Sequence, residues 1–459
     1  MEFIQEKTYL KLRTEIKSTL NLAIPLILTQ FAETAIAFVD LIMMGWLGTE
    51  ILAAGGLGAI TFATLIYISA GLFYGLGAIA AVAFTQKNIE KIRTLLIQGL
   101  WIGFIFAVPI ALLLWHFGSI LTLLGQEERI AHYAEIYLRA IVWGLPATLG
   151  FIAIKEVANA CDRPQFLTII AAIAVPINGL ANYTFMFGHF GFPALGLAGA
   201  GWSSIFVFWL MFLSGIGYLQ FHPDFREYRF FDRLWFSDRS TFWEILKLGI
   251  PIGIQLGSEF GIFAFVALLM GYLGTENLAA HEITLSVLDI AIIIPIGFSH
   301  ATAIRVGQQS GNHNLEGIKT TFLVAFLLNT AIASLISLAL WIFAPQIIAI
   351  YLDPSNLDNI EATKIALSLL KIATFIQGIY GLHFIAIGAL QGLQDTLIPM
   401  WINISIYWVI GLGGSYFIAI ILHQGAIGVW LALMLAIISS TGILIWRFSQ
   451  ILPKQKENW

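Results

Sequence analysis

Two carboxylates interrupt an apolar stretch near the start of the chain. Residues 24–54 read IPLILTQFAETAIAFVDLIMMGWLGTEILAA, which places Glu33 and Asp40 among aliphatic side chains. The two acids are seven residues apart, about two helical turns, so a helix would present them on one face. Ionisable groups at membrane depth cost roughly 2.5–3.5 kcal/mol to insert and commonly mark ion or substrate pathways. Asp40 and Glu33 are therefore candidates for proton or cation binding, with a structural carboxylate satisfied by hydroxyls or amides as the alternative.

A second polar pair lies in another apolar stretch, at residues 176–183. The sequence PINGLANY there spaces Asn178 and Asn182 at i and i+4, on one face of a helix. An aspartate with two asparagines could hold a proton or coordinate Na⁺ through oxygen atoms, so Asp40, Asn178 and Asn182 form a candidate cation site. Hydrogen bonding between helices is the alternative role for the two asparagines.

The second half of the chain carries a single acid at the middle of a long apolar stretch, Glu259, which is its strongest candidate for ion coupling. Asp289 lies deep in the next stretch and is an additional candidate. Tyr380 and His383 could line a cavity, with ordinary packing as the alternative. His281 and Glu282 precede Asp289 and are expected at a wetted outer interface.

The composition sets the class of protein. Of 459 residues, 59% are hydrophobic and 11% are charged, with a mean hydropathy of +0.86. Soluble domains carry about 25% charged residues, so this is an integral membrane protein. The net charge of −4 and the absence of a long basic run argue against nucleic acid as a partner. The single cysteine, Cys161, excludes an internal disulfide and a multi-cysteine metal site.

Enzymatic motifs are absent from the sequence. It contains no Gly-x-Ser-x-Gly, no His-Glu-x-x-His and no phosphate-binding Walker loop. No cofactor is therefore expected, and ATP hydrolysis within this chain cannot supply energy. An ion gradient is the remaining energy source.

Twelve apolar stretches are long enough to cross a bilayer as helices, which takes about 20 residues each. Their approximate extents are 18–46, 52–85, 93–117, 130–157, 165–188, 195–219, 241–271, 278–308, 318–344, 360–390, 397–420 and 426–448. If the N-terminus is cytoplasmic, the inside loops hold most of the basic residues, as the positive-inside rule requires. The even number of spans then places both termini in the cytoplasm.

The chain also contains an internal repeat. Residues 250–280 align without a gap to residues 24–54 at an offset of 226, with 13 of 31 positions identical and Glu259 on Glu33. The polar stretch 222–241 lies between the repeats, so the predicted domains are an N-terminal six-helix lobe (1–221), a cytoplasmic linker (222–241) and a C-terminal six-helix lobe (242–459). Six spans per half give the halves one orientation, as parallel repeats around a central cavity.

Several motifs resemble the multidrug and toxic compound extrusion (MATE) family of transporters, of the bacterial NorM type. They are IPLILTQFAETAIAFVDLIMMGWLG, VPINGLANYTFMFG, GSEFGIFAFVALLMGYLGTENLAAHEI, GFSHATAIRVGQ and GALQGLQDTLIPM, spread over essentially the whole chain. The resemblance implies an all-α integral membrane fold of twelve transmembrane helices in two six-helix lobes, with a V-shaped central cavity. It also implies exchange of organic cations and other amphipathic compounds for Na⁺ or H⁺.

The resemblance extends to individual residues. Asp40 matches the first-span aspartate of the family, a proton or cation site, and Asn178 and Asn182 match the fifth-span pair beside it. Glu259 matches the seventh-span glutamate, which the NorM branch often pairs with a tenth-span aspartate. Tyr380 stands at that aspartate position here, which leaves Glu259 to act alone as a proton carrier or with another group such as His383.

The resulting hypothesis is a secondary antiporter of the cytoplasmic (inner) membrane that exports cationic or amphipathic drugs in exchange for H⁺ or Na⁺. Its expected partners are small organic cations or other xenobiotics and the lipid bilayer, and it is expected to be a monomer. A lipid-linked precursor flippase of the same superfamily is one alternative, although it would need a cationic cavity. A membrane-embedded enzyme is the alternative from another class, and would need a nucleophile–base or metal constellation.

Overall fold

Long apolar helices make up nearly all of the structure, a computed structural model that describes residues 2–233, 235, 238–352 and 359–458. Twelve of the described helical segments are long and apolar enough to cross a membrane, and they confirm the predicted number of spans. Residues 234, 236 and 237 of the predicted linker lie outside the described residues.

The helices of the first half follow the predicted spans closely. They are α1 (Glu2–Gly45), α2 (Thr49–Thr85), α3 (Ile89–Trp115), α4 (Phe117–Leu123), α5 (Glu128–Ile141), α6 (Leu145–Ala160), α7 (Gln165–Phe187) and α8 (Leu197–Phe221). The fourth span is α5 and α6 joined by a 3₁₀ turn at Val142–Gly144. Two further 3₁₀ segments, Pro223–Tyr228 and Phe230–Arg233, follow α8 in the predicted linker.

The helices of the second half repeat this order. They are α9 (Arg239–Leu273), α10 (Thr275–Gly311), α11 (Leu315–Ile342), α12 (Ala344–Tyr351), α13 (Ile360–Gly392), α14 (Leu397–Ile406), α15 (Gly414–Tyr416) and α16 (Gly425–Asn458). The eleventh span contains α14, α15 and two π-helical segments, Tyr407–Gly413 and Phe417–Ile421. π-Helical turns inside spans often occur at functional sites.

Helix caps reproduce the internal repeat. The side chain of Asn88 accepts a hydrogen bond from Lys91 N at 3.0 Å at the start of α3, and that of Asn314 accepts one from Gly317 N at 3.0 Å at the start of α11. Side-chain oxygens at this position satisfy backbone N–H groups that have no partner inside the helix. The two caps are 226 residues apart, the offset of the aligned repeats.

Contacts divide the chain into two compact units, one of residues 28–253 and one of residues 1–27 with 254–459. The two dividing points, after Ile27 and after Gly253, are also 226 residues apart and each lies two residues beyond a proline, Pro25 or Pro251. The first part of α1 thus belongs with the second half of the chain, and the first part of α9 with the first half. The predicted domains, 1–221 and 242–459 with the linker 222–241 between them, describe the two repeats in chain order, and they remain a prediction.

Glycines let the first part of α9 approach α2 within the 28–253 unit. A Cβ on Gly71 would meet the backbone of Gly253, and one on Gly75 would meet the backbone of Gly249. In the other unit, a Cβ on Gly297 of α10 would meet Ile27 of α1. Only glycine permits so close an approach of two helix backbones.

Ion pairs also hold the first part of α1 and the first part of α9 within their compact units. Glu15 of α1 accepts hydrogen bonds from Arg305 of α10 at 3.0 and 2.7 Å and from Thr321 of α11 at 2.8 Å. In the 28–253 unit, the ammonium group of Lys91 in α3 contacts Glu244 and Thr241 of α9. Each early helix part is therefore held by charge as well as by packing.

Candidate functional site

Asp40 lies in a buried polar cluster within the 28–253 unit. Its Oδ1 accepts a hydrogen bond from Asn182 Nδ2 at 2.6 Å, and its Oδ2 lies 3.1 Å from the Ser204 hydroxyl, which is equally close to Ala200 O in its own helix. The same Asn182 Nδ2 donates to Asn178 Oδ1 at 2.9 Å. All four side chains are buried, with Asp40 only 5% exposed. Helices α1, α7 and α8 thus place one carboxylate, two amides and a hydroxyl together.

The cluster has spare coordinating capacity. Asn182 Oδ1 and Asn178 Nδ2 are buried without a hydrogen-bond partner. The carbonyl oxygen belongs to the amide whose nitrogen contacts Asp40, so a turn of this amide around its Cβ–Cγ bond would present the oxygen to Asp40, where it could accept a proton from Asp40 or coordinate a cation. The donors from Asn182 and Ser204 stabilise the ionised carboxylate, and a proton or cation that neutralises Asp40 competes with them. The geometry fits reversible binding of one positive charge.

Glu259 lies beside a small cavity within the 254–459 part of the other unit. The cavity has a volume of about 30 Å³, room for one or two water molecules. Its polar lining comes from Glu259, Tyr380, Tyr407 and Trp430, and five aliphatic or phenyl side chains complete it. Gln255, one turn earlier in α9, donates to Glu259 Oε1 at 3.2 Å. Glu259 thus faces a nearly apolar space with few hydrogen-bond donors.

The additional candidates have different positions. Tyr380 lines the cavity with Glu259, whereas His383 lies behind Tyr407, whose hydroxyl is 3.4 Å from His383 Nε2. Asp289 is exposed on α10 and is not part of the cavity lining. Glu33 is half-buried and pairs with Lys155 of α6, at 2.6 Å between Oε1 and Nζ.

His281 and Glu282 differ from each other in exposure. Glu282 is exposed as expected, but the expectation of a wetted His281 was wrong, because its side chain is fully buried against the Trp430 ring, with the ring centroids 5.7 Å apart. Neither ring nitrogen of His281 has a hydrogen-bond partner.

A profile of the family described as MatE matches residues 25–184 and 251–417, more than half of the chain. The chain is 34% identical over 446 residues to the probable multidrug resistance protein NorM of Mesorhizobium japonicum, covering 96% of both chains. It is likewise 34% identical to the protein of the same name from Synechocystis, covering 97% of this chain and 96% of that one.

This chain belongs to the MatE family. The resemblance to NorM-type transporters that the motifs predicted is therefore confirmed. The two matched ranges of the MatE profile begin at Pro25 and Pro251, the prolines related by the repeat. Asp40, Asn178 and Asn182 lie in the first range, and Glu259 lies in the second.

Solved structures share the fold at lower sequence identity. The eukaryotic MATE transporter AtDTX14 superposes with a TM-score of 0.87 at 18% identity, covering 98% of this chain and 99% of that one. A multidrug resistance MATE family transporter of the MOP superfamily, solved in an outward-facing conformation, gives 0.86 at 18% identity, covering 96% of this chain and 97% of that one. These likenesses confirm the predicted twelve-helix MATE fold for this MatE chain.

Sequence reasoning missed several polar residues of the two clusters. Ser204, Gln255 and Tyr407 lie on other helices or other turns, and only the packing of the helices brings them to the carboxylates. Glu156 was also missed, although it is 4% exposed and its Oε1 has no hydrogen-bond partner. An acid directly after Lys155 in an apolar stretch was the available signal for Glu156.

Proposed function

We propose that this MatE protein is a secondary antiporter that exports cationic or amphipathic organic compounds in exchange for H⁺ or Na⁺. The observation that carries the proposal is the buried Asp40 cluster, where one carboxylate meets an unpartnered amide oxygen and two donors. Its relatives named NorM are probable multidrug resistance proteins, and membership of the same family supports the same activity here.

The mechanism follows from charge. An ion that enters from outside neutralises Asp40 or Glu259, weakens the hold on a cationic substrate and favours its release outward, with alternating access by movement of the two lobes. One-for-one exchange of an ion for a monovalent organic cation moves no net charge, so the ion concentration gradient alone would drive it. If two ions enter for each such cation, one net charge moves inward, and through 100 mV it contributes about 2.3 kcal/mol, enough to drive export against a roughly fifty-fold concentration ratio. The protein would act as a monomer in the cytoplasmic membrane, with both termini in the cytoplasm and no cofactor.

The charges of the described spans disfavour the flippase alternative. A pyrophosphate group needs free cationic side chains in a cavity, but Lys155, Arg305 and Arg447 are paired with Glu33, Glu15 and Asp395. Lys247 and Lys371 of the described spans are exposed. The acids Asp40 and Glu259 have no basic partner among the described residues, which suits a cationic substrate better than an anionic one.

The test is efflux of a fluorescent organic cation, such as ethidium, from proteoliposomes with a pH gradient or a Na⁺ gradient imposed separately. Gradient-dependent efflux that disappears in a variant carrying both Asp40→Asn and Glu259→Gln is the expected result. Equal ethidium flux with and without either gradient, in protein that is correctly folded, would reject antiport. Transbilayer movement of a lipid-linked pyrophosphate by the same vesicles, without ethidium efflux, would support the flippase instead.

A further inference from the structure

Glu156 of α6 is a second buried carboxylate of the 28–253 unit, and the mechanism proposed above does not use it. It is 4% exposed, and its Oε1 has no hydrogen-bond partner. It takes part in no ion pair among the described residues, because the ammonium group of the adjacent Lys155 is directed to Glu33 of α1, 2.6 Å from Oε1. Acids placed in this way inside membrane spans are costly and typically serve ion or proton pathways.

The carboxyl group of Glu156 is packed against backbone on one side and lies near a spare donor. A Cβ on Gly77 of α2 would collide with Glu156 Oε2, so this oxygen lies directly against the α2 backbone. Asn159, three residues later on the same side of α6, is 1% exposed, and its Nδ2 has no hydrogen-bond partner. One face of α6 thus carries an acceptor without a donor and a donor without an acceptor.

The charges around Glu156 favour its protonated form. Glu33 and Lys155 cancel each other, so a protonated Glu156 leaves this group of side chains neutral, whereas an ionised Glu156 adds an uncompensated negative charge. A buried carboxylate with neither a counter-ion nor a donor on one oxygen is costly. Tyr74 of α2 is the remaining titratable neighbour and is uncharged at neutral pH. Helices α3 and α8 also pack on α6, but they bring no charged group to Glu156 among the described residues.

Glu156 and Asp40 lie toward opposite ends of the same unit. Asp40 is five residues before the last residue of α1, and Glu156 is four residues before the last residue of α6. Glu33, which is bonded to α6 beside Glu156, precedes Asp40 by seven residues, about 10 Å along α1. In the proposed orientation, Asp40 therefore lies toward the outside and Glu156 toward the cytoplasm.

We propose that Glu156 is a second proton site of the 28–253 unit, which exchanges H⁺ with water on the cytoplasmic side during the transport cycle. The inference goes beyond the role of Asp40, and it rests on the proposed antiport and on the proposed orientation. Glu156 holds its proton while it is buried among α1, α2 and α6, as in this structure. It releases the proton when movement of these helices lets water reach the carboxyl group.

Protonation and packing are coupled at this site. Water lowers the cost of the negative charge, so the proton leaves the carboxyl O–H for water and the charge stays on the carboxylate oxygens, to which Asn159 Nδ2 can donate. Return to the packing seen here requires Glu156 to take up a proton from the same water. A proton on Glu156 therefore stabilises the packed arrangement, and a lower cytoplasmic pH favours it.

The proton can be observed without a transport assay. Infrared spectra of the purified full chain in lipid nanodiscs contain the carbonyl stretch of protonated carboxyl groups, a band that carboxylates lack. At neutral pH, Glu156→Gln should remove one component of this band, and Glu276→Gln, at an exposed acid, should remove none. A band that is the same in Glu156→Gln and in the wild type would show that Glu156 is ionised, and would overturn the proposal.

A matched pair of glycine variants tests the position of the carboxyl group. Gly77→Ala places a methyl group against Glu156 Oε2, whereas Gly99→Ala in α3 places one against the side chain of Leu76. Gly77→Ala should shift the frequency of the Glu156 component, and Gly99→Ala should leave it unchanged, because its added methyl group touches no polar atom. The same frequency in both variants would overturn the assigned site.

Transport separates a proton site from a packing role. Glutamine has the shape of glutamate and, like the protonated acid, no charge, so Glu156→Gln should keep the thermal unfolding midpoint of the wild type. It cannot release a proton, so it should lose gradient-driven ethidium efflux, whereas Glu156→Asp, which still titrates, should retain it. Wild-type efflux by Glu156→Gln would overturn the proposal. An absence of gradient-driven efflux in the wild type would reject the proposed antiport instead, and the infrared spectra would still decide whether Glu156 holds a proton.

Discussion

One amide nitrogen, Nδ2 of Asn182, lies 2.6 Å from Oδ1 of Asp40, and both side chains are buried. The Asp40 carboxylate in α1 therefore has a fixed partner in α7, while the carbonyl oxygen of the same amide has none. A proton or cation that neutralises Asp40 would thus compete with the bond from Asn182 Nδ2 and could be held by the free carbonyl oxygen of the same amide.

Asp40→Asn should abolish coupled efflux and leave the fold intact. The amide has nearly the same shape as the carboxylate but cannot take up or release a proton, and it offers a cation a weaker ligand. The measurement is gradient-driven ethidium efflux at matched expression, with the thermal unfolding of the purified variant as the control for folding. Wild-type efflux by Asp40→Asn would remove this carboxylate from the mechanism.

Two adjacent serines allow the environment of Asp40 to be tested without changing its charge. The single hydrogen of the Ser204 hydroxyl is shared between Asp40 Oδ2 and Ala200 O, both at 3.1 Å, whereas Ser203 is equally buried and donates to Gly199 O at 2.8 Å. Ser204→Ala removes a hydrogen bond to a charged group, worth about 1.5–3 kcal/mol, and should change ethidium efflux at fixed pH by about tenfold or more. Ser203→Ala should remain within about twofold of the wild type. Equal effects of the two substitutions would show that only helix packing is disturbed.

The sequence predicted the spans and most of the candidate residues, but not their contacts. Twelve spans follow from hydropathy because bilayer thickness sets helix length. The spacing of Asn178 and Asn182 placed them on one face, and the internal repeat located Glu259. The pairing of Glu33 with Lys155 could not be predicted, because it joins α1 to α6 and depends on how those helices pack. Nothing in the sequence indicated that the first part of α1 groups with the second half of the chain and the first part of α9 with the first half. Each helix runs without a break past the residue at which the two compact units divide.

The linker topology can be tested with single cysteines. Burial raises the pKa of the Cys161 thiol to about 12, so at pH 7–8 this thiol stays protonated and unreactive toward maleimides. Arg226 in the 222–241 stretch and Gln126 between α4 and α5 are exposed, whereas Phe230 is buried and unsuitable for labelling. A membrane-impermeant maleimide added outside intact cells should label Gln126→Cys and spare both Arg226→Cys and the wild type. Labelling of Arg226→Cys from outside would overturn the predicted orientation.

Glu259→Gln should lose proton-driven efflux, while Tyr380→Phe should retain most of it. The cavity offers the carboxylate few oxygen partners, and a Na⁺ site would want several, so H⁺ is the expected ion at Glu259. Efflux is measured with a pH gradient in the absence of Na⁺ and with a Na⁺ gradient plus a protonophore. Exposed Glu282→Gln is the control, and efflux only in the second condition would contradict proton coupling.

The buried ion pair between Glu15 and Arg305 should be a major contributor to the attachment of the first part of α1. The side chains are 8% and 14% exposed, and Thr321 also donates to Glu15. Glu15→Gln leaves the guanidinium group of Arg305 without a carboxylate, and breaking a buried pair in this way typically costs about 3–5 kcal/mol. The exposed pair of Glu316 and Lys319 on α11 is the control, because Glu316→Gln should change stability by less than about 0.5 kcal/mol.

A double-mutant cycle separates the pair from its surroundings. Glu15→Gln combined with Arg305→Met removes the charge that the single variant leaves stranded, so the double variant should recover part of the lost stability, measured as the thermal unfolding midpoint in detergent. The first part of α1 belongs to the same compact unit as Arg305, so we also expect Glu15→Gln to expose residues near Glu15 to proteolysis before the rest of the chain unfolds. Additive effects of the two substitutions, with no early cleavage near Glu15, would show that the packing of Ile27 against Gly297 holds this helix part without help from the ion pair.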